Sequence, residues 1–181
     1  CKALILAKKF KSSEYLKMIL SLVPELKISK KEKLQSKNLP ELNYVVLLDE
    51  VDDSYSGVWM FDEILNLGGD KERQKLIEID KKLEPDDAIN IQFTSGTTGQ
   101  PKGATLSHYN IVNNGSFVTG RIKLTEKDRL ALPVPLYHCF GMVMGVLGAV
   151  SKGAAMIFPG ESFDAKETLD VIIKKKCTAL Y

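Results

Sequence analysis

The stretch TSGTTGQPKG, residues 94–103, decides how the rest of this 181-residue chain is read. It holds three glycines (Gly96, Gly99, Gly103), one proline (Pro101), four hydroxyls (Thr94, Ser95, Thr97, Thr98) and one cation, Lys102. Glycine permits positive φ and lets backbone approach a ligand, so successive N–H groups can converge on an anion. Hydroxyls donate to phosphate oxygens, and lysine adds a compact positive charge. The composition predicts a polyphosphate-binding loop. INIQF, residues 89–93, precedes it as an alternating apolar segment and reads as a strand. A short ATL segment and a helix opening near Ser107 are expected to follow.

Two familiar phosphate loops are excluded by spacing. The Walker pattern G-x-x-x-x-G-K-S/T fails because the residue five after Gly96 is Pro101 and the one five after Gly99 is Ala104. The dinucleotide fingerprint G-x-G-x-x-G fails because Thr98 stands where the second glycine should follow Gly96. The full string, S/T-S-G-T-T-G-x-P-K-G, instead resembles the phosphate loop of the adenylate-forming superfamily, which includes acyl-CoA synthetases, luciferases and the adenylation domains of peptide synthetases. GATLSHYNIVNN, residues 103–114, and PLYHCFGMVMG, residues 135–145, are similar to the two segments that follow the loop in that superfamily. Together with INIQFTSGTTG, their wording resembles the mitochondrial medium-chain acyl-CoA synthetases. The clear match runs over residues 89–181, with a looser one upstream.

The resemblance implies an α/β fold of largely parallel sheets flanked by helices, forming part of the large N-terminal domain of the adenylate-forming fold. On this reading residues 1–181 are a partial N-terminal AMP-binding domain, with an upstream α/β segment at 1–88 and the phosphate loop and following α/β segment at 89–181. The C-terminal domain, its adenylation lysine and the acidic magnesium ligand would lie outside the chain, so the isolated chain is expected to be inactive. The implied activity is ligation of a medium-chain fatty acid to coenzyme A through an acyl-adenylate, with ATP and Mg2+. Alternatives are an adenylate-forming enzyme with another acceptor, or a nucleotide-binding module without chemistry. The resemblance assigns Thr94, Ser95, Gly96, Thr97, Thr98, Gly99, Gln100, Pro101 and Lys102 to ATP, with Pro101 setting loop geometry rather than touching ligand. It makes His138 and Tyr137 candidates for the carboxylate and acyl pocket; His108 is read as structural. Localisation implied by resemblance is mitochondrial, with cytoplasmic as the alternative.

Composition agrees with a folded domain: 44% of residues are hydrophobic and 27% charged. A formal net charge of +2 gives no reason to expect nucleic acid as a partner. Three cysteines, Cys1, Cys139 and Cys177, show no C-x-x-C spacing, which argues against a disulfide framework or a zinc site. Cys139 and Cys177 read as small buried apolar residues. The longest apolar run, residues 139–150, is shorter than the ~20 residues a bilayer span needs, so it reads as a buried helix packed closely at Gly141, Gly145 and Gly148. Asp86 and Asp87 read as an exposed acidic turn.

Upstream, KALILA (2–7) reads as a buried strand, 11–23 as a helix closed by Pro24, and YVVLLD (44–49) as a second strand. The lysine-rich stretch 27–40 reads as a solvated loop and residues 52–57 as a surface connection. A short amphipathic helix ends at Gly68 and Gly69, and residues 70–83 read as another helix. Downstream, Ser107 is a helix cap, with His108, Ile111, Val112 and Gly115 along one side of its helix. Residues 130–134 and 154–159 read as strands. Residues 164–176 form a helix with Asp164 and Glu167 at capping-box spacing and Ala165, Leu169, Ile172 and Ile173 as its core face, and CTALY is a final strand.

Overall fold

The computed structural model describes residues 1–49, 55–96 and 99–181, and the chain forms two compact units, Cys1–Lys81 and Lys82–Tyr181. The first is built on apolar runs that pair in parallel. Strand β1 (Ala3–Leu6) runs beside β2 (Tyr44–Leu47), from Ala3 opposite Tyr44 to Leu6 opposite Leu47. Strand β3 (Trp59–Met60) joins the far side of β2, again in parallel. A parallel neighbour needs a crossover, and helix α1 (Tyr15–Leu22) lies in the one between β1 and β2, burying Leu16 and Ile19 from one side.

The core of this unit joins Leu16, Ile19, Val23 and Leu26 to Leu34, Leu42, Val45, Leu47 and Val58. Leu34 comes from the lysine-rich stretch, so that stretch is not wholly solvated: its leucine is drawn into the core and Ser36 is buried beside it. Strand β1 is less buried than its apolar sequence suggests, because it lies at the edge of the described sheet and leaves Ile5 exposed. The surface connection expected over residues 52–57 lies outside the described residues at 52–54. At its other end the chain turns inward, and the N–H of the buried Gly57 donates to the Leu26 carbonyl at 2.9 Å. Helices α2 (Phe61–Leu65) and α3 (Asp70–Asp80) follow; α3 is exposed along its whole length.

The second unit opens with an antiparallel hairpin, β4 (Ala88–Thr94) and β5 (Lys102–Ser107). A six-residue strand therefore stands where only a short ATL segment was expected. Helix α4 (His108–Arg121) starts directly after it. Ser107 caps this helix as expected: its Oγ accepts from the Asn110 N–H at 3.3 Å, and Asn110 Oδ1 accepts from the Ser107 N–H at 3.1 Å.

Strands β6 (Arg129–Ala131), β7 (Ala155–Ile157) and β8 (Ala179–Leu180) form a parallel sheet in the order β7-β6-β8. A π-helix (Phe140–Leu147) running into α5 (Gly148–Lys152) connects β6 to β7, and α6 (Ala165–Lys175) connects β7 to β8. The protein is thus α/β, with parallel sheets and helical crossovers. Leu124, Leu130, Leu132, Ala149 and Ala154 form the core of this unit.

Close packing at the glycines has a steric basis. A Cβ on Gly148 would lie 2.6 Å from Thr119 Cγ2, and one on Gly145 would lie 2.8 Å from Leu132 Cδ2. One on Gly141 would overlap the Pro135 carbonyl oxygen. From the α4 side, a Cβ on Gly115 would meet the Val143 carbonyl oxygen at 2.7 Å. Side chains at Gly115 and Gly148 would push α4 away from the π-helix and α5, and side chains at Gly141 and Gly145 would collide with the segment that follows β6.

Two burial expectations fail. Asp164 does cap α6, its Oδ1 accepting from the Glu167 N–H at 2.7 Å. The inward side of α6, however, runs through buried Thr168 and half-buried Val171 and Ile172, while Leu169 and Ile173 are exposed. Both sets satisfy helical spacing, so periodicity alone could not choose between them. Cys139 is exposed rather than buried, because it sits just outside the π-helix at its entry, and Cys177 is only half-buried. No helix among the described residues is long and apolar enough to cross a membrane.

Candidate functional site

The hairpin is the frame of the candidate loop. Thr94 opposite Lys102 is the last register pair of the β4–β5 ladder, with Phe93 opposite Gly103 just behind it. Gly103 lets two large side chains lie over the ladder: a Cβ there would stand 3.0 Å from Ile91 Cγ2 and 3.5 Å from Phe93 Cε1. This places Gly103 in the support of the loop, beneath aromatic cover.

Beyond the last pair the chain reverses through two glycines in the left-handed region, Gly96 at φ +61° and Gly99 at φ +78°. The Gly99 N–H points back to the Gly96 carbonyl at 3.5 Å. A Cβ on Gly96 would overlap the Gln100 carbonyl oxygen, so glycine is required there both for φ and for space. Thr94, Ser95, Gln100, Pro101 and Lys102 are all exposed around this turn. Thr97 and Thr98 lie outside the described residues. Thr94, Ser95, Gly96, Gly99, Gln100, Pro101 and Lys102 are gathered on one exposed hairpin end, where hydroxyls, loop amides and one ammonium group can address an anion together.

His138 and Tyr137 sit elsewhere in the same unit, on the segment between β6 and the π-helix. Both are exposed, Tyr137 at 78%. The His138 N–H donates to the Pro135 carbonyl at 3.2 Å, and its carbonyl accepts from the Met142 N–H at 2.9 Å, so the residue is held at the helix entry. Its ring faces the same entry: the Phe140 N–H donates to His138 Nδ1 at 3.1 Å, and Cys139 Sγ lies 3.8 Å from that nitrogen. The Phe140 ring packs edge-to-face on Tyr181 at 5.2 Å between centroids, which steadies the first turn.

Among the described residues, a side-chain hydrogen bond links the two parts. Gln92, half-buried on β4, directs Nε2 to Met142 Sδ of the π-helix at 4.0 Å. Sequence reasoning did not single out Gln92. The signal was present in the strand itself: Asn90 and Gln92 are amides on the half-buried side of β4, while Ile91 and Phe93 are exposed on the other. Asn90 Oδ1 and His108 Nε2 are buried without a hydrogen-bond partner among the described residues. No cluster of three or more His, Cys, Asp or Glu side chains fit to hold a metal occurs among the described residues.

The model of the AMP-binding enzyme family matches residues 1–181, and the chain belongs to that family. It is 43% identical over its whole length to the mitochondrial medium-chain acyl-CoA ligase ACSF2 of Danio rerio, covering 30% of that protein. It is 39% identical to YngI of Bacillus subtilis (strain 168), with 99% of this chain and 32% of that protein covered. The chain thus spans about a third of the length of these relatives. The solved anthranilate CoA ligase AuaEII, in complex with anthranoyl-AMP, superposes with a TM-score of 0.71 over 100% of this chain and 30% of that one. At 23% identity that likeness establishes the fold.

Proposed function

We propose that the full-length protein carrying this chain is an ATP-dependent acid–thiol ligase that activates a medium-chain fatty acid as its acyl-adenylate and transfers the acyl group to coenzyme A. The observation that supports this reading is the exposed β4–β5 turn, with Gly96 and Gly99 at positive φ and Lys102 at its edge, in a chain of the AMP-binding family. A carboxylate oxygen attacks the α-phosphorus, the bond to pyrophosphate breaks, and acyl-AMP remains. The coenzyme A thiol then attacks the acyl carbon, AMP leaves, and the thiol proton is lost to solvent.

A carboxylate is a weak nucleophile and pyrophosphate a highly charged leaving group, so positioning and charge neutralisation carry much of the catalysis. The hydroxyls of Thr94, Ser95, Thr97 and Thr98, with the N–H groups around Gly96, Gly99 and Gln100, take the β- and γ-phosphates. Lys102 adds charge beside them, while Pro101 and Gly103 shape the loop. Such a loop can close over ATP and reopen to release pyrophosphate. Magnesium, when bound, supplies charge neutralisation between phosphates; no ligand for it is assigned among the described residues. His138 and Tyr137 border the acyl carboxylate. The chain spans about a third of the length of its curated relatives, and on this reading the purified 181-residue chain should form no acyl-CoA.

The medium-chain preference and mitochondrial placement are supported by the 43% identity to the mitochondrial medium-chain acyl-CoA ligase of Danio rerio. Imaging a tagged full-length protein tests the second. ATP–pyrophosphate exchange with a panel of carboxylic acids tests the activity: exchange stimulated by medium-chain acids supports it, and failure of every acid to give exchange, despite intact folding and ATP binding, overturns it.

A further inference from the structure

Cations crowd one edge of the parallel sheet β7-β6-β8. Arg121 closes α4, and Lys123, Lys127 and Arg129 follow it on the way into β6. Lys174 and Lys175 end α6 and Lys176 is its C-cap, just before β8. The two groups meet in space: Arg129 Nε donates to the Lys175 carbonyl at 2.6 Å, and the Thr178 hydroxyl donates to Asp128 Oδ1 at 2.8 Å. Seven cations therefore stand against two carboxylates, Glu126 and Asp128, in a chain whose formal net charge is only +2. Among the described residues none of these cations forms an ion pair, and all except Arg129 are exposed. Because β6 and β8 run in parallel, this is the edge at which both begin, whereas Tyr137 and His138 follow the end of β6.

We propose that this edge is a docking surface for an anionic membrane, its cations set against lipid phosphates. A helix C-terminus favours a cation in its last turn, which accounts for Arg121 and for the lysines of α6. It gives no reason for Lys123 and Lys127, which lie in the loop between α4 and β6. Gathering like charges costs free energy through self-repulsion, and an anionic surface offsets that cost. Exposed apolar residues favour a membrane over a nucleic acid: Ile122 and Ile173, each beside a lysine in sequence, are 49% and 77% exposed and suit the boundary between headgroups and acyl chains. No aromatic residue occurs in 121–129 or 173–178 to stack on a base. The inference rests on charge and exposure and is independent of the adenylation reading. Taken with that reading, docking brings the enzyme to the phase in which fatty acids dissolve.

Vesicle co-sedimentation of the full-length protein tests the proposal. The wild type should bind phosphatidylcholine vesicles that contain phosphatidylglycerol, release them as salt is raised, and leave pure phosphatidylcholine vesicles unbound. Each cation near an anionic bilayer strengthens binding about fivefold, so the combined variant Lys127→Gln, Lys174→Gln and Lys176→Gln should bind roughly 100-fold more weakly. A control that removes the same charge from exposed α3 and its C-cap, Lys71→Gln, Lys75→Gln and Lys81→Gln, should change binding by less than about threefold. Equal losses in the two variants would reduce the effect to overall charge and overturn the docking surface. Wild-type protein that ignores the anionic vesicles would overturn it without recourse to any variant. Tighter binding to a single-stranded RNA than to the vesicles, lost in the Lys127, Lys174 and Lys176 variant, would assign the edge to nucleic acid and overturn the membrane. Pyrophosphate exchange is read separately: its absence in the wild type would overturn the adenylation reading while the vesicle comparison still decided the docking surface.

Discussion

Gly96 and Gln100 stand so close across the 94–103 turn that a Cβ on Gly96 would overlap the Gln100 carbonyl oxygen. Gly99 has a similar left-handed φ of +78°, yet a Cβ there meets nothing within 4 Å among the described residues. Gly99→Ala carries the left-handed penalty alone, about 1–2 kcal/mol; Gly96→Ala adds a backbone collision. Pyrophosphate exchange should therefore fall at least roughly tenfold further in Gly96→Ala than in Gly99→Ala, a gap of ~1.4 kcal/mol. Equal rates would mean that the Gly96–Gln100 approach does not shape the working loop.

Glycines between α4, the π-helix and α5 set a stability contrast. Gly148→Ala would drive a methyl into Thr119 Cγ2 at 2.6 Å, and thermal unfolding should show a loss of about 1–3 kcal/mol. Gly120 lies in α4 beside Thr119 but is exposed, and its added Cβ would come no nearer than 4.0 Å to Lys152 Nζ. Gly120→Ala should gain about 0.5–1 kcal/mol from helix propensity alone. A destabilised Gly120→Ala or a neutral Gly148→Ala would contradict the packing described.

Asp128 ties the start of β6 to the approach of β8. Its carboxylate accepts from the Thr178 hydroxyl, the Thr125 hydroxyl and the Thr125 N–H, each at 2.8 Å. These bonds, Thr178 first, hold its pKa below the ordinary aspartate value. A depressed folded-state pKa contributes stability that is present above the unfolded-state value and is lost as pH falls through the folded one. Asp128→Asn should lower Tm at neutral pH and flatten the decline of Tm on the acid side of the aspartate range. An acid decline identical to wild type would remove Asp128 from that balance.

Much of this architecture was legible in the chain because short-range chemistry carried it. The Ser107 and Asp164 caps, the apolar runs of β1, β2 and β6, and the glycines of the 94–103 loop are local signals, and the structure has each of them in place. Strand β5 was missed because Lys102, Gly103 and Ala104 are poor strand formers; they become a strand only through pairing with β4, which local propensity does not report. Strand β3 is two residues long, too short for any period to register. Periodicity on α6 named residues that share a face but could not say which face is covered, hence exposed Leu169 and Ile173. At the candidate site, the loop residues were legible as a motif, whereas the hold of Phe140 on His138 needed the backbone path to be known.

Lys102 offers the most direct test of the central claim. It is exposed beside the turn, opposite Thr94, so its removal should leave the fold intact, with stability within about 0.5 kcal/mol of wild type. In the full-length protein, ATP–pyrophosphate exchange stimulated by medium-chain acids should drop roughly 100-fold in Lys102→Ala. Exchange that survives unchanged in a folded Lys102→Ala protein would contradict the assignment of this turn to the phosphates of ATP.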